Sequence, residues 1–345
     1  MNHLVLSGSP RERGLLHGKT FAKEIHDFAK IRKDLLSNVF KSWTKEKFSK
    51  LVELHLQVLK KDHEIWEEFA AIAEAAQISH KDLMVLNNHT DLRDFIAGQI
   101  DETFFECSCF VIKKGTQILA GQTWDMHASA KPYVLHLTVK KGNQTQEIFT
   151  LTGCLGLTGV TSSGFGVFIN NLRSTELGIG YAWPATVRKL LDCTSLDEAP
   201  NVLRSFLPSA GRNFLLVDKK EASCFEVTGK NIERIGDLSK GFLFHTNHYL
   251  SSLKVKEEEN ARSKTTFDRY AYLSEHIPRI ASGEITVKNI CEEIFNKSLG
   301  ILSLAPPKDP HGSATCGGLV YDFTSKEGIS FEGLYSEKNF ISFKC

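Results

Sequence analysis

Three polar clusters stand where strand-like runs begin or end, and each carries side chains able to do chemistry. The first is Cys107 in "TFFECSCFVI" (103–112), with the charged Glu106 before it. The second is "GQTWDM" (121–126), which brings Trp124 and Asp125, and the third is "HTNHYL" (245–250), which brings Asn247 and Tyr249. A cysteine can be a nucleophile, a metal ligand or simply a small buried hydrophobe. Tetrahedral zinc sites usually take paired C-x2–4-C or H-x3–5-H ligands. Cys107 and Cys109 lie two apart, no C-x-x-C pair occurs, and His245/His248 is the nearest fit, so no metal is expected. Thirteen histidines leave a cysteine–histidine pair open, yet nothing local selects one of them. The glycine-rich pieces "GCLGLTG" and "SSGFG" sit among strands, with no helix behind them to cradle a phosphate.

The elements must bring these clusters together. Side chains at strand ends can leave the core for a cleft while the sheet holds them rigid. If Cys107 starts one strand and Asp125 ends its antiparallel neighbour, a turn at "KKGTQ" (113–117) folds Asp125 back towards Cys107. Before this hairpin, from Arg11 to about Gly98, the pattern is helical. "RGLLHGKTFAKEIHDFAKIRKDLL" predicts one helix, and Phe48, Leu51, Val52, His55, Val58, Leu59, Ile65, Trp66, Phe69, Ala70 and Ala73 recur as one long amphipathic helix. "SHKDLMVLNNHTDLRDFI" predicts another, capped by Ser79 with Asp82 three residues on.

After Phe104 short β-rich runs alternate with turn signals through "GVFINNL", which ends in Asn170, Asn171 and Leu172. Two helices follow in "WPATVRKLLDCTSLDEAPNVLRSFL", with Pro184 in a first turn and Ser195 as an N-cap. Further strands, a helix from about Thr265 to Ile277, and a hairpin over "SKEG" close the chain. Helices, strands, helices, strands is an α+β sandwich, not an alternating βαβ order.

Composition narrows the partners. The chain has 345 residues, 41% apolar and 24% charged, and Lys+Arg 42 against Asp+Glu 41 leaves +1, so neither nucleic acid nor an anionic membrane is expected. No basic, then apolar, leader opens the chain, and no apolar run would span a bilayer, which predicts a soluble, cytoplasmic protein. Eight scattered cysteines in a chain of this size are expected to be reduced thiols.

Taken in order, the motifs resemble the acyl-coenzyme A:6-aminopenicillanic acid acyltransferase family, N-terminal-nucleophile (Ntn) hydrolases also classed as self-processing C45 peptidases. "GSPRERGLLHG" is similar to the family's G-x-x-x-E-x-G-x-x-x-G, "ECSCF" to its [G/E]-C-[ST]-x-F, and "AGQTWDM" to its G-Q-N-W-D-W. "GVFINNL", "RNFLLVDKKEASCFEV", "HTNHYL", "TTFDRYAYL" and "SATCGGLVYDF" continue the likeness over most of the chain.

The resemblance implies one four-layer αββα domain of two antiparallel sheets flanked by helices, matured by its own cleavage of the Glu106–Cys107 bond. A helical α segment, residues 1–106, would stay packed on a β segment, residues 107–345. Cys107 would then be nucleophile and, through a freed α-amine of pKa about 7.7–8.0, its own general base. Asp125 would orient that amine, and Asn247 would donate to the oxyanion with Asn170 or Asn171 as a second contact. Arg269 would pair with a carboxylate or steady the site, and Trp124 and Tyr249 would line the pocket.

Glu106 stands where many relatives have glycine, and Cys109 where serine is common. The expected activity is hydrolysis of a linear non-peptide amide, a small-molecule N-acyl amine, through an acyl-enzyme, with no cofactor. An acyltransferase, a non-catalytic binding protein and a homo-oligomer stay open.

Overall fold

A computed structural model describes residues 1–38, 43–97, 106–257, 265–295, 302 and 312–345. The chain opens with a strand, β1 (Asn2–Leu6), that the apolar pattern does not announce. Six helices follow where the sequence predicts three: α1 (Pro10–Thr20), α2 (Ala22–Asn38), α3 (Lys45–Leu59), α4 (His63–Ala76), α5 (His80–Asn87) and α6 (His89–Ala97).

The breaks have local causes. Asp62 starts α4 by accepting the Ile65 N–H, which ends the expected long helix at Leu59. Phe21 and Asn88 leave helical backbone geometry, so the other two expected helices are also cut in two. Ser79 caps α5 as expected, its hydroxyl accepting the Asp82 N–H.

The strands and remaining helices run β2 (Cys109–Lys114), β3 (Gln117–His127), β4 (Val134–Lys141), β5 (Gln144–Leu151), β6 (Thr158–Thr161), β7 (Gly166–Asn171), α7 (Trp183–Leu190) and α8 (Ala199–Ser205). Then come β8 (Arg212–Val217), β9 (Ala222–Val227), β10 (Ile232–Ile235), β11 (Phe242–His245), α9 (Thr265–Ser282), α10 (Val287–Ile294), β12 (Ser313–Asp322), β13 (Glu327–Glu332) and β14 (Phe340–Lys344). Pro184 sits in the first turn of α7 as expected. Ser195 bonds the Glu198 carboxylate instead of capping α8, which begins only at Ala199.

Two sheets form: β1-β4-β5-β6-β7-β8-β9-β10 and β11-β2-β3-β12-β13-β14. Pairing is antiparallel except for β1, which joins β4 in parallel. Alternation sorts the layers. Cys109 and Val111 of β2 enter the core shared by the sheets and the N-terminal helices, whereas Phe110 and Ile112 meet Leu273 and Ile277 of α9 and Ile290 of α10. The order is α9 and α10, the six-stranded sheet, the eight-stranded sheet, then the other helices: an αββα sandwich. No helix among the described residues is long and apolar enough to cross a membrane.

The helices before residue 98 are bolted to the rest through buried polar groups. Glu68 of α4 lies between Arg13 of α1 (2.8 Å) and Arg188 of α7 (2.7 Å), with all three side chains at most 5% exposed. His17 accepts the Gly153 N–H at 3.0 Å, and Arg212 of β8 pairs with Asp91 of α6.

Candidate active site

The β2–β3 hairpin sets the site. Its loop is only Gly115-Thr116, and Gly115 takes the φ of +59° that a tight hairpin turn demands. The register from Lys114↔Gln117 to Cys109↔Gln122 continues beyond β2. The Thr123 N–H donates to Ser108 O (2.9 Å) and the Asp125 N–H to Glu106 O (2.8 Å). Glu106 therefore faces Asp125, and Cys107 faces Trp124; the turn folds Asp125 back as the sequence predicts, but β2 begins only at Cys109 and β3 runs on to His127, so Asp125 lies opposite Glu106 and not Cys107.

Around this ladder the Cys107 backbone is fully committed. Its N–H donates to Asn247 Oδ1 at 2.9 Å, and its carbonyl accepts from Asn170 Nδ2 and Arg269 Nη1, each at 2.9 Å. Arg269 Nη1 also donates to Ser108 Oγ (3.0 Å), Nη2 to Asn247 Oδ1 (2.9 Å) and Nε to Thr265 Oγ1 (3.2 Å). A guanidinium only donates, so it fixes which end of the Asn247 amide faces Cys107. Asn247 Nδ2 points away, to Asn171 O at 2.9 Å. The sequence predicts an oxyanion donor at Asn247; in the uncut chain its oxygen serves the Cys107 nitrogen.

Asn170 and Asn171 take two different positions. Asn170, whose Oδ1 accepts from Cys109 Sγ (2.8 Å) and Asn213 Nδ2 (2.9 Å), is the one on the Cys107 carbonyl. Asn171 contributes its backbone oxygen, and its side chain goes to Arg212. Trp124 is buried, edge-on to Phe149 with centroids 6.1 Å apart. Tyr249 is buried with its hydroxyl donated to Val227 O at 2.8 Å, a contact that anchors it to β9.

Several partners escape sequence reasoning. The Glu106 carboxylate accepts from Thr265 Oγ1 at 2.6 Å and lies 3.5 Å from Arg269 Nη2. The i, i+4 spacing of Thr265 and Arg269 was a readable signal of a shared helix face. Thr315 Oγ1 donates to Asp125 Oδ1 at 2.6 Å, because β12 pairs Thr315 directly with Asp125. Asp125 Oδ2 is buried with no hydrogen-bond partner among the described residues.

The electrostatics follow from this burial. Desolvation, then the charge of Asp125, pushes the Cys107 thiol up to about 12, against the pull of the Asp125 N–H, Arg269 and Arg212. At pH 7 such a thiol is ionised roughly one part in 10^5, so attack needs a base. None of those groups is a histidine. Burial likewise lifts Asp125 to about 7, opposed by Arg269 and Thr315 and helped by the charge of Glu106. No group of three or more His, Cys, Asp or Glu among the described residues could hold a metal ion. His245 is bonded instead to Glu226 at 2.8 Å.

Comparison with known proteins places the chain in a family. The profile of the acyl-coenzyme A:6-aminopenicillanic acid acyl-transferase family matches residues 111–309, and the chain belongs to that family. It is 24% identical over 331 residues, 95% of its length, to the 40 kDa form of acyl-coenzyme A:6-aminopenicillanic-acid-acyltransferase from Emericella nidulans, covering 91% of that protein. Among solved structures it is similar to penicillin V acylase from Agrobacterium tumefaciens (14% identity, TM-score 0.39, 66% of this chain and 83% of that one). It is also similar to a mutant form of conjugated bile acid hydrolase from Clostridium perfringens (10% identity, TM-score 0.41, 69% and 92%).

Proposed function

We propose that the protein is a self-processing amidohydrolase that cuts its own Glu106–Cys107 bond and then cleaves a linear N-acyl amine through an acyl-enzyme on Cys107. The observation that carries this is the setting of that one peptide unit. Its carbonyl accepts the Asp125 N–H, its nitrogen donates to Asn247, and the nucleophile's own carbonyl is fixed by Asn170 and Arg269. A bond so clamped can react without costly reorganisation.

In the processing step Sγ adds to the Glu106 carbonyl carbon, the C–N bond breaks, and the thiol proton ends on the Cys107 nitrogen. Water then hydrolyses the thioester. The product has an α-amine beside its own thiol, and Asn247 Oδ1 and Asp125 Oδ2, the latter without a hydrogen-bond partner among the described residues, are acceptors that could hold it. That arrangement supplies the base the buried thiol needs in turnover; in the cut itself the thiol proton goes to the departing Cys107 nitrogen. The residues assigned are Cys107 as nucleophile and base, Asp125 and Asn247 as amine partners, and Asn170 and Arg269 as positioning residues. Free cysteines throughout the described chain support a reducing, cytoplasmic setting.

Intact mass of purified protein tests the reading: two fragments meeting at 106/107 are expected, and none from Cys107→Ala. A chain that stays whole would leave a binding protein. Transfer is the second reading, favoured by the acyltransferase relative. Excess amine acceptor separates the two, since a transferase yields a new amide where a hydrolase yields only free acid.

A further inference from the structure

On the reading of Cys107 as a self-processing nucleophile, the residue on the acyl side of the cut is the site's first substrate. Processing produces a thioester of the Glu106 acyl group on Cys107 Sγ, next to a free α-amine. Turnover passes through the same chemical species, with a substrate's acyl group on the same sulfur. In both, the acyl chain leaves the sulfur into surroundings the protein has already built.

Those surroundings are not apolar. The Glu106 side chain is buried, and its Oε2 accepts from Thr265 Oγ1 at 2.6 Å with Arg269 Nη2 3.5 Å away. Thr265 is polarised in turn, because it also accepts from Arg269 Nε. Both residues lie in the first turns of α9, the end where the helix dipole favours an anion. An uncharged acyl chain of the same length would forgo the hydrogen bond from Thr265 Oγ1 and the attraction of Arg269 Nη2.

We propose that the acyl subsite takes a group whose distal carboxylate is separated from the acyl carbon by three carbons, as in Glu106: a glutaryl or α-glutamyl amide. In turnover Sγ adds to the acyl carbon and its proton passes through the α-amine to the departing amine. Water then releases the diacid and restores the thiol. The carboxylate takes no part in bond making; it is held by Thr265 and Arg269 and fixes the acyl carbon at the sulfur.

The test compares N-glutaryl-4-nitroanilide with N-pentanoyl-4-nitroanilide, which match in chain length, on the cleaved enzyme. The expected result is a kcat/KM at least tenfold higher for the glutaryl compound, with that ratio falling towards one in Thr265→Val. Cleavage of both at equal rates, or a preference for pentanoyl, overturns the subsite and leaves the amidohydrolase standing. If neither is cleaved, the subsite falls, while the self-processing reading stands or falls on the cut at 106/107.

Discussion

At the scale of residues, Asp125 shows what the site costs. Its carboxyl is held up to about 7 by burial, against roughly 3.9 in an unfolded chain. A raised folded value means that the native state binds the proton more tightly. The stabilising contribution is then complete below about pH 4 and is lost as pH rises through about 7. Asp125→Asn keeps an acceptor for Thr315 and removes the buried charge. In a Cys107→Ala background, which keeps the chain uncut, the variant should be more stable than its parent at pH 8, by about 2–4 kcal/mol. Below pH 4 the difference should vanish. Urea denaturation at the two pH values reads this directly, and a less stable Asn variant at pH 8 would mean that Arg269 more than repays the buried carboxylate. With Cys107 restored, the same substitution should abolish or greatly slow cleavage, which places Asp125 among residues kept for chemistry at the expense of stability.

At the scale of elements, the motif "GSPRERGLLHG" becomes a packing device. Gly14 and Gly18 of α1 sit directly on α4, where an added Cβ would overlap the backbone oxygens of Glu68 and Ile72. Backbone cannot rotate aside as a side chain can. Gly18→Ala should therefore cost about 1–3 kcal/mol by overpacking. Gly142→Ala, at φ +58° with open space around it, should cost only ~1 kcal/mol of backbone strain. Denaturant midpoints of the two variants decide it, and equal losses would refute the close crossing.

The same elements show what the sequence could and could not reveal. The Cys107–Asp125 hairpin was legible, because a glycine turn between two apolar runs fixes register by itself. The helix breaks were not: at Phe21 no Gly or Pro marks the change of direction, and the polar gap Lys60–Glu64, with Asp62 as an N-cap, is short enough to pass as one turn of a continuous helix. Nor was β1, whose pairing to β4 spans 133 residues from Asn2 to Leu135. The grip of Thr265 on Glu106, 159 residues apart, and of Thr315 on Asp125, 190 apart, depends on α9 and β12 being laid against the hairpin. No local pattern encodes such meetings.

At the scale of the whole molecule, a cut at 106/107 would divide the chain without dividing the fold. β1 stays in register with β4, Asn87 remains bonded to Gly153 O and the Leu155 N–H, and Trp183 still donates to Thr90. A buried link across the cut is Glu68, which pairs with Arg13 from its own segment and Arg188 from the other. Removing one member of a buried charge cluster strands the rest, at about 3–5 kcal/mol. The cleaved protein should therefore elute as one species, its fragments parting only as it unfolds in urea. In Glu68→Ala they should part at distinctly lower urea, because buried Arg188 loses its carboxylate and Arg13 is left with Glu64 alone at 3.3 Å. Glu74→Ala breaks the Arg11 pair, whose side chains are 50% and 55% exposed, and should leave the transition where it was. Equal behaviour of the two variants in size-exclusion runs across a urea series would show that the segments are joined by apolar contact alone.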